Sequence, residues 1–127
     1  MSFFMKAVLD VDVQQYEDAL YRGVELQAEF LARAERMKDR EAEFLLRVNE
    51  ARGEDGKLLF TNPEVRAAGL RQYLLGDNGK EAYPVLSSNQ MGTEIAILQN
   101  KAKLAAVEMR LKVNRDWLNY LAARGAE

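Results

Sequence analysis

Cysteine and histidine are both absent from these 127 residues, and each absence removes a class of chemistry. Without cysteine there is no disulfide, no thiolate nucleophile and no thiolate metal ligand. Without histidine, the commonest general base and the commonest transition-metal ligand are missing. Helical-bundle metal sites built on Glu-x-x-His motifs are excluded with it. Proline occurs only at Pro63 and Pro84, so no breaker of that kind interrupts a helix before Pro63 or after Pro84. No apolar run reaches membrane-spanning length. The apolar start Met1–Leu9 is too short, and too soon followed by Asp10 and Asp12, to read as a signal peptide. Those missing signals lead to the expectation of a cytoplasmic protein with no membrane partner. Phosphate-cradling glycine loops and nucleophile elbows are missing too, because Gly53, Gly56, Gly76 and Gly79 are isolated turn glycines. The reading is of a non-enzyme, with no catalytic residue, no cofactor and no metal.

What the chain does contain is a hydrophobic heptad that runs twice. Val13, Tyr16, Leu20, Gly23, Gln27, Phe30, Ala34, Met37, Glu41, Phe44, Val48 and Ala51 step by alternating threes and fours. So do Ile97, Asn100, Leu104, Val107, Leu111, Asn114, Leu118 and Leu121. That alternation keeps one seam of a helix turned to a partner. Two such tracks around a turn-rich middle predict an all-α protein: a long antiparallel helical hairpin, or coiled coil, with a short helix and turn-rich connector. A length of 127 residues suits one domain, but a two-helix hairpin buries little surface for its size, so other chains would have to complete its core.

Within a single domain 1–127 the elements are placed as follows. Residues 1–11 form an apolar arm or short strand, and 12–52 a long helix with Asp10 or Asp12 at its N-cap and Gly53 as its stop. Residues 53–87 form the connector. It holds a turn over 54–56, an extended piece over 57–61 and a short helix over 63–75, opened by Asn62-Pro63-Glu64 and closed by Gly76. Tyr83-Pro84 predicts an extended backbone. Ser87 and Gln90 form a capping box for a second long helix over 88–124, with Ser88 as the alternative cap. Asn100 and Asn114 lie on its seam, and whether they are buried is left open by the sequence. Seam asparagines can fix register or oligomer state.

The second helix has a further apolar row in Met91, Ile95, Leu98, Ala102, Ala105, Met109, Val113, Trp117 and Tyr120. Apolar rows on two sides are typical of a helix inside a bundle. The short connector helix, about 20 Å long at 1.5 Å per residue, cannot cover all of it. The reading therefore favours a homo-oligomer, with Ile97, Leu104, Leu111, Leu118, Met109, Val113 and Trp117 as its self-association residues. The preferred function is a non-enzymatic oligomeric scaffold or adaptor working through helix–helix interactions.

The alternative is a nucleic-acid accessory protein that assists single-stranded DNA handling or recombination. The net charge is −2, but the segments divided at Gly53 and Ser87 carry −3, −1 and +2. On the basic last helix Lys101, Lys103, Arg110, Lys112 and Arg115 precede Trp117 and Tyr120, and cations beside aromatics are the ingredients of single-strand binding. Lys57, Arg66 and Arg71 could extend such a surface. Against this, both aromatics fall on the second apolar row and are expected in the core, and Glu108 and Asp116 dilute the charge. A small metal-dependent enzyme ranks third, because no matched pair of Glu-x-x-Glu and Glu-x-x-Asp motifs is present to hold magnesium. Glu41, the one acid on the first seam, is expected in a salt bridge with Lys101 or Lys103.

Asp55-Gly56-Lys57-Leu58-Leu59-Phe60-Thr61-Asn62, followed by Arg66, Leu70 and Leu74, resembles a signature of small uncharacterised coiled-coil proteins of phages and integrated mobile elements. The layout is similar as well: long helix, Asp-Gly-Lys turn, short helix, long helix. About a third of the chain carries the likeness, and Gly76–Val85 departs from it. The resemblance implies phage biology near recombination or replication genes and carries over no catalytic residue. The helix–turn–helix plan is also similar in shape alone to prefoldin subunits.

Overall fold

A computed structural model describes residues 3–125, with side chains from Lys6 onward. Three helices account for nearly all of it: α1 (Phe3–Glu50), α2 (Pro63–Leu75) and α3 (Tyr83–Gly125). No strand occurs among the described residues, and the one β-bridge joins Arg52 to Leu58. The two long helices pack on one another, and the chain divides into two compact units. Unit 1 comprises 1–28 and 95–127, and unit 2 comprises 29–94.

Residues 3–11 are helical, which corrects the expected arm or strand; Met1 and Ser2 lie outside the described residues. The reason is local. Phe3–Leu9 has no glycine or proline, and Val8 and Leu9 become half-buried by continuing the helix. Asp12 is therefore not an N-cap. It lies within α1, is only 6% exposed and accepts a hydrogen bond from Asn114 Nδ2 at 2.7 Å.

In unit 1 the side of α1 that meets α3 is Leu9, Asp12, Tyr16, Ala19, Gly23 and Leu26, all buried or half-buried. This corrects one of the two columns of the expected seam. Tyr16 and Gly23 hold their places, but Asp12, Ala19 and Leu26 replace Val13, Leu20 and Gln27, which are exposed. The polar residues of α3 select that column. Asn100 Nδ2 donates to the Ala19 carbonyl at 2.9 Å, and Asn114 finds the Asp12 carboxylate. A half-buried amide without a partner would cost about 1–3 kcal/mol, enough to rotate the helix away from a more apolar column. Gly23 leaves room for this packing, since a Cβ there would stand 3.2 Å from Asn100 Nδ2. On α3 the seam Ile97, Asn100, Leu104, Val107, Leu111, Asn114 and Leu118 is buried or half-buried as read. Leu121 is exposed.

In unit 2, α1 ends at Glu50, earlier than residue 52, and a small hairpin replaces a glycine stop. Leu59 N–H donates to the Ala51 carbonyl (2.9 Å), and Gly53 N–H to the Lys57 carbonyl (2.9 Å). The turn sets Gly56 at φ +78°, where a side chain would be strained. Asn62 caps α2 by accepting from Val65 N–H at 2.8 Å, with Pro63 in the first turn. Gly69 lets the Phe60 ring lie on α2, because a Cβ there would sit 2.5 Å from it.

Helix α3 starts at Tyr83 rather than 88, which corrects the extended Tyr83-Pro84 reading and the Ser87 cap. Proline is tolerated in a first turn, whose N–H groups have no helical acceptor. Asp77 accepts from Tyr83 N–H (3.4 Å). Starting early buries Ala82 and Leu86 and extends the seam back through Gln90 and Thr93. Both are met by Arg33, whose Nη1 donates to Gln90 Oε1 (3.1 Å) and Thr93 Oγ1 (2.7 Å), while Gln90 Nε2 donates to the Phe30 carbonyl (2.8 Å). The apolar core of unit 2 is built on Phe44, Val48, Leu74, Ala82 and Leu86.

Candidate functional site

The residues read as self-associating fall on two different faces of α3. Ile97, Leu104, Leu111 and Leu118 share the seam with Asn100 and Asn114 and are half-buried inside unit 1. They line the contact between the chain's own two long helices. Met109, Val113 and Trp117 lie on the other side and are exposed. With Ile95, Leu98 and Tyr120 they make an outer row running most of the length of unit 1's α3 segment. The exposures are large: Leu98 66%, Met109 69%, Trp117 51%. Scattered apolar side chains on a surface are ordinary, but these six, bridged by exposed Ala102 and Ala105, follow one helix face, the kind of row that marks an interaction site.

Trp117 and Tyr120 are therefore not core residues, as had been expected. Their rings stack at 5.4 Å between centroids, and the Arg124 guanidinium lies 6.0 Å from the Tyr120 centroid. This end of α3 forms an open surface on one helix rather than an enclosed cavity.

The basic residues do not gather on one face. At about 100° per residue, Lys101, Lys112 and Arg115 follow one flank of the seam, and Lys103 and Arg110 the opposite flank. Arg110 is also committed within the unit, to Asp12 Oδ1 at 3.5 Å and to Gln15 Oε1. Arg115 lies 3.9 Å from Asp116. Phosphate neutralisation along a strand needs a continuous basic track, and this helix splits its cations between two edges.

The unit 2 residues around Glu41 are structural. Tyr83 Oη donates to Glu41 Oε1 at 2.7 Å, so the acid is paired with a phenol rather than with Lys101 or Lys103. That hydrogen bond, then burial, then the Glu41 charge push the Tyr83 phenol up to about 12. Arg36 pairs with the Glu81 carboxylate (3.2 Å), and Arg40 Nε donates to the Glu81 carbonyl (2.9 Å). An open cleft of about 590 Å³ nearby is lined by Phe44, Arg47, Phe60 and Tyr73, among others. Arg47 lies over the Phe44 ring at 5.0 Å and pairs with Glu43 at 3.0 Å, so its charge is spent on its own helix.

Among the described residues no group of three or more acids is placed to hold a metal ion, and no buried side-chain nitrogen or oxygen lacks a partner. No helix among them is long and apolar enough to cross a membrane. No family model, curated protein or solved structure matches the chain.

The polar seam partners Asp12, Arg33, Gln90 and Thr93 were missed in the sequence. The available signal was that Asn100 and Asn114 need acceptors, and Asp12 recurs at heptad spacing with Ala19 and Leu26.

Proposed function

We propose that this protein is a non-enzymatic scaffold or adaptor. In this reading it is an antiparallel coiled-coil hairpin that assembles into an oligomeric helical bundle through the outer faces of its helices. The observation that carries the proposal is the outer row of α3, where Ile95, Leu98, Met109, Val113, Trp117 and Tyr120 are all exposed on a helix whose other face is already occupied. Full burial of a side chain of this size is worth about 1.5–3 kcal/mol. These side chains are already about half covered, so two copies burying several each would gain an amount on the same scale as the cost of association, about 4–15 kcal/mol. The likeness of Asp55–Asn62 to phage proteins adds, as part of the same proposal, that the scaffold is phage-encoded.

Exposed Trp117 and Tyr120 beside Arg124 favour the nucleic-acid reading more than their expected burial did. The split of the cations between two flanks and the commitment of Arg110 to Asp12 weigh more heavily against it.

Light scattering on the full chain and on the double variant Leu98→Asp with Met109→Asp tests the scaffold reading. The parent chain is expected above its 14.4 kDa monomer mass, and the variant at that mass with unchanged helicity. A parent chain that stays monomeric at every concentration contradicts the reading. Salt-sensitive binding of single-stranded DNA by that monomer would establish the alternative.

A further inference from the structure

The two edges of the unit 1 helix pair differ. On one edge Gln15 and Arg110 bracket the seam and bond across it, reinforced by Arg110 to Asp12. On the other edge α1 presents Val13 and Leu20, and α3 presents Lys101, Glu108 and Arg115, with no ion pair or side-chain hydrogen bond joining the helices there among the described residues. All five are exposed. That edge also opens into a groove of about 540 Å³, with Leu9, Tyr16, Leu111 and Leu118 among its apolar lining and Lys112 and Arg115 among its polar lining.

Charge follows the same division. Residues 1–28 hold two basic and five acidic side chains, and residues 95–127 six basic and three acidic. On the open edge, and the face behind it, α1 carries Asp10 and Glu17 around Val13, Leu20 and Val24. Helix α3 carries Lys101, Lys112 and Arg115 around Leu98, Ala105 and Met109. The α1 stripe thus carries Asp10 and Glu17 against Lys6, and the α3 stripe Lys101, Lys112 and Arg115 against Glu108, so the two stripes have net charges of opposite sign.

We propose that this edge takes a second copy of the chain, in a two-fold dimer that lays α3 of each copy against α1 of the other. This rests on the scaffold reading and specifies its contact. A two-fold axis makes both contacts at once, because the same patch serves each copy, and four helices then enclose the apolar stripes. Charge selects this pairing over α3 against α3, which would bring Lys101, Lys112 and Arg115 toward their own copies. Like charges across an interface are strongly disfavoured. The neighbouring alanines Ala102 and Ala105 allow close approach at the middle of α3, and Leu98 and Met109 flank them.

The test is charge exchange in the full chain, read by sedimentation equilibrium with circular dichroism as the check on folding. One variant carries Asp10→Lys and Glu17→Lys, and the other Lys101→Glu and Lys112→Glu. All four positions are exposed. Each variant alone is expected to dimerise at least about tenfold more weakly than the parent. An equal mixture is expected to recover parental affinity as a heterodimer, since each α1–α3 contact regains opposite charges. The milder Glu17→Gln is expected to weaken association in the same direction should a reversal disturb folding. If the α1 variant dimerises as tightly as the parent, the α1–α3 pairing is overturned while the scaffold reading stands. If the parent itself does not associate, both fall.

Discussion

The two compact units solve one problem with different material. Unit 2 has three helical segments and a short hairpin around its core, and it buries Phe44, Val48, Leu74, Ala82 and Leu86. Unit 1 has two helical segments. It buries Ala19, Leu26 and Val107 with one carboxylate, leaving Leu98, Met109, Val113 and Trp117 outside. A pair of helices offers each helix one neighbour, so a helix with two apolar faces keeps one uncovered. In unit 2 the connector supplies part of the missing neighbour, and Gly69 is the detail that lets Phe60 reach it. In unit 1 we assign that role, along the edge of Leu98, Ala105 and Met109, to another copy of the chain.

That comparison can be strained from either side. The largest single effect is expected from Phe44→Ala in the closed core, where loss of a buried ring should cost about 3–5 kcal/mol. Chemical denaturation monitored by circular dichroism would measure it. Gly69→Ala should cost about 1–3 kcal/mol, because the new methyl drives the Phe60 ring off α2. A full-size effect here, in an otherwise good helix former, would show that the connector is part of the core rather than a loose loop.

In unit 1, Asp12→Ala should cost about 1–3 kcal/mol by removing the acceptor of Asn114. Replacing the pair together, as Asp12→Leu with Asn114→Leu, should return much of that stability. The same pair of substitutions should also loosen the choice of register or oligomer state, which buried seam asparagines enforce. Light scattering on the double variant would then show a broadened set of masses.

The smallest effect is a pH dependence in unit 2. The Tyr83 phenol holds its proton more tightly when folded, at about 12 against an ordinary 10.0. The stability it contributes is therefore fully present below pH 10 and is lost as pH rises from about 10 to 12. Denaturation midpoints measured across that window should fall, and Glu41→Gln should flatten the fall.

Much of this was legible in the residues. Asn62-Pro63-Glu64 marks the start of α2 because cap, ring and acid each answer a need of a first helical turn. The α3 seam from Ile97 to Leu118 was legible as one of two apolar rows on that helix, each stepping by threes and fours. On α1 two columns flank Tyr16 and Gly23, and the more apolar one, Val13 and Leu20, is not the buried one. Polar demand from Asn100 and Asn114 decides between them, and that demand is a tertiary fact carried by a different helix. The early start of α3 was hidden for a similar reason. Pro84 reads as an interruption until Asp77, Glu41 and the burial of Leu86 are seen to hold Tyr83 in the helix. The faces of α3 were legible as two apolar rows, but only the packing shows which row the chain uses for itself.

The most direct test of the account is amide hydrogen exchange on the full chain at two widely separated protein concentrations, resolved by segment. Association that covers unit 1 should slow exchange in 95–121 and in 10–24 as concentration rises, with a much smaller change in 44–86. Equal protection of 95–121 at both concentrations would contradict the claim that a second copy completes what two helices leave open.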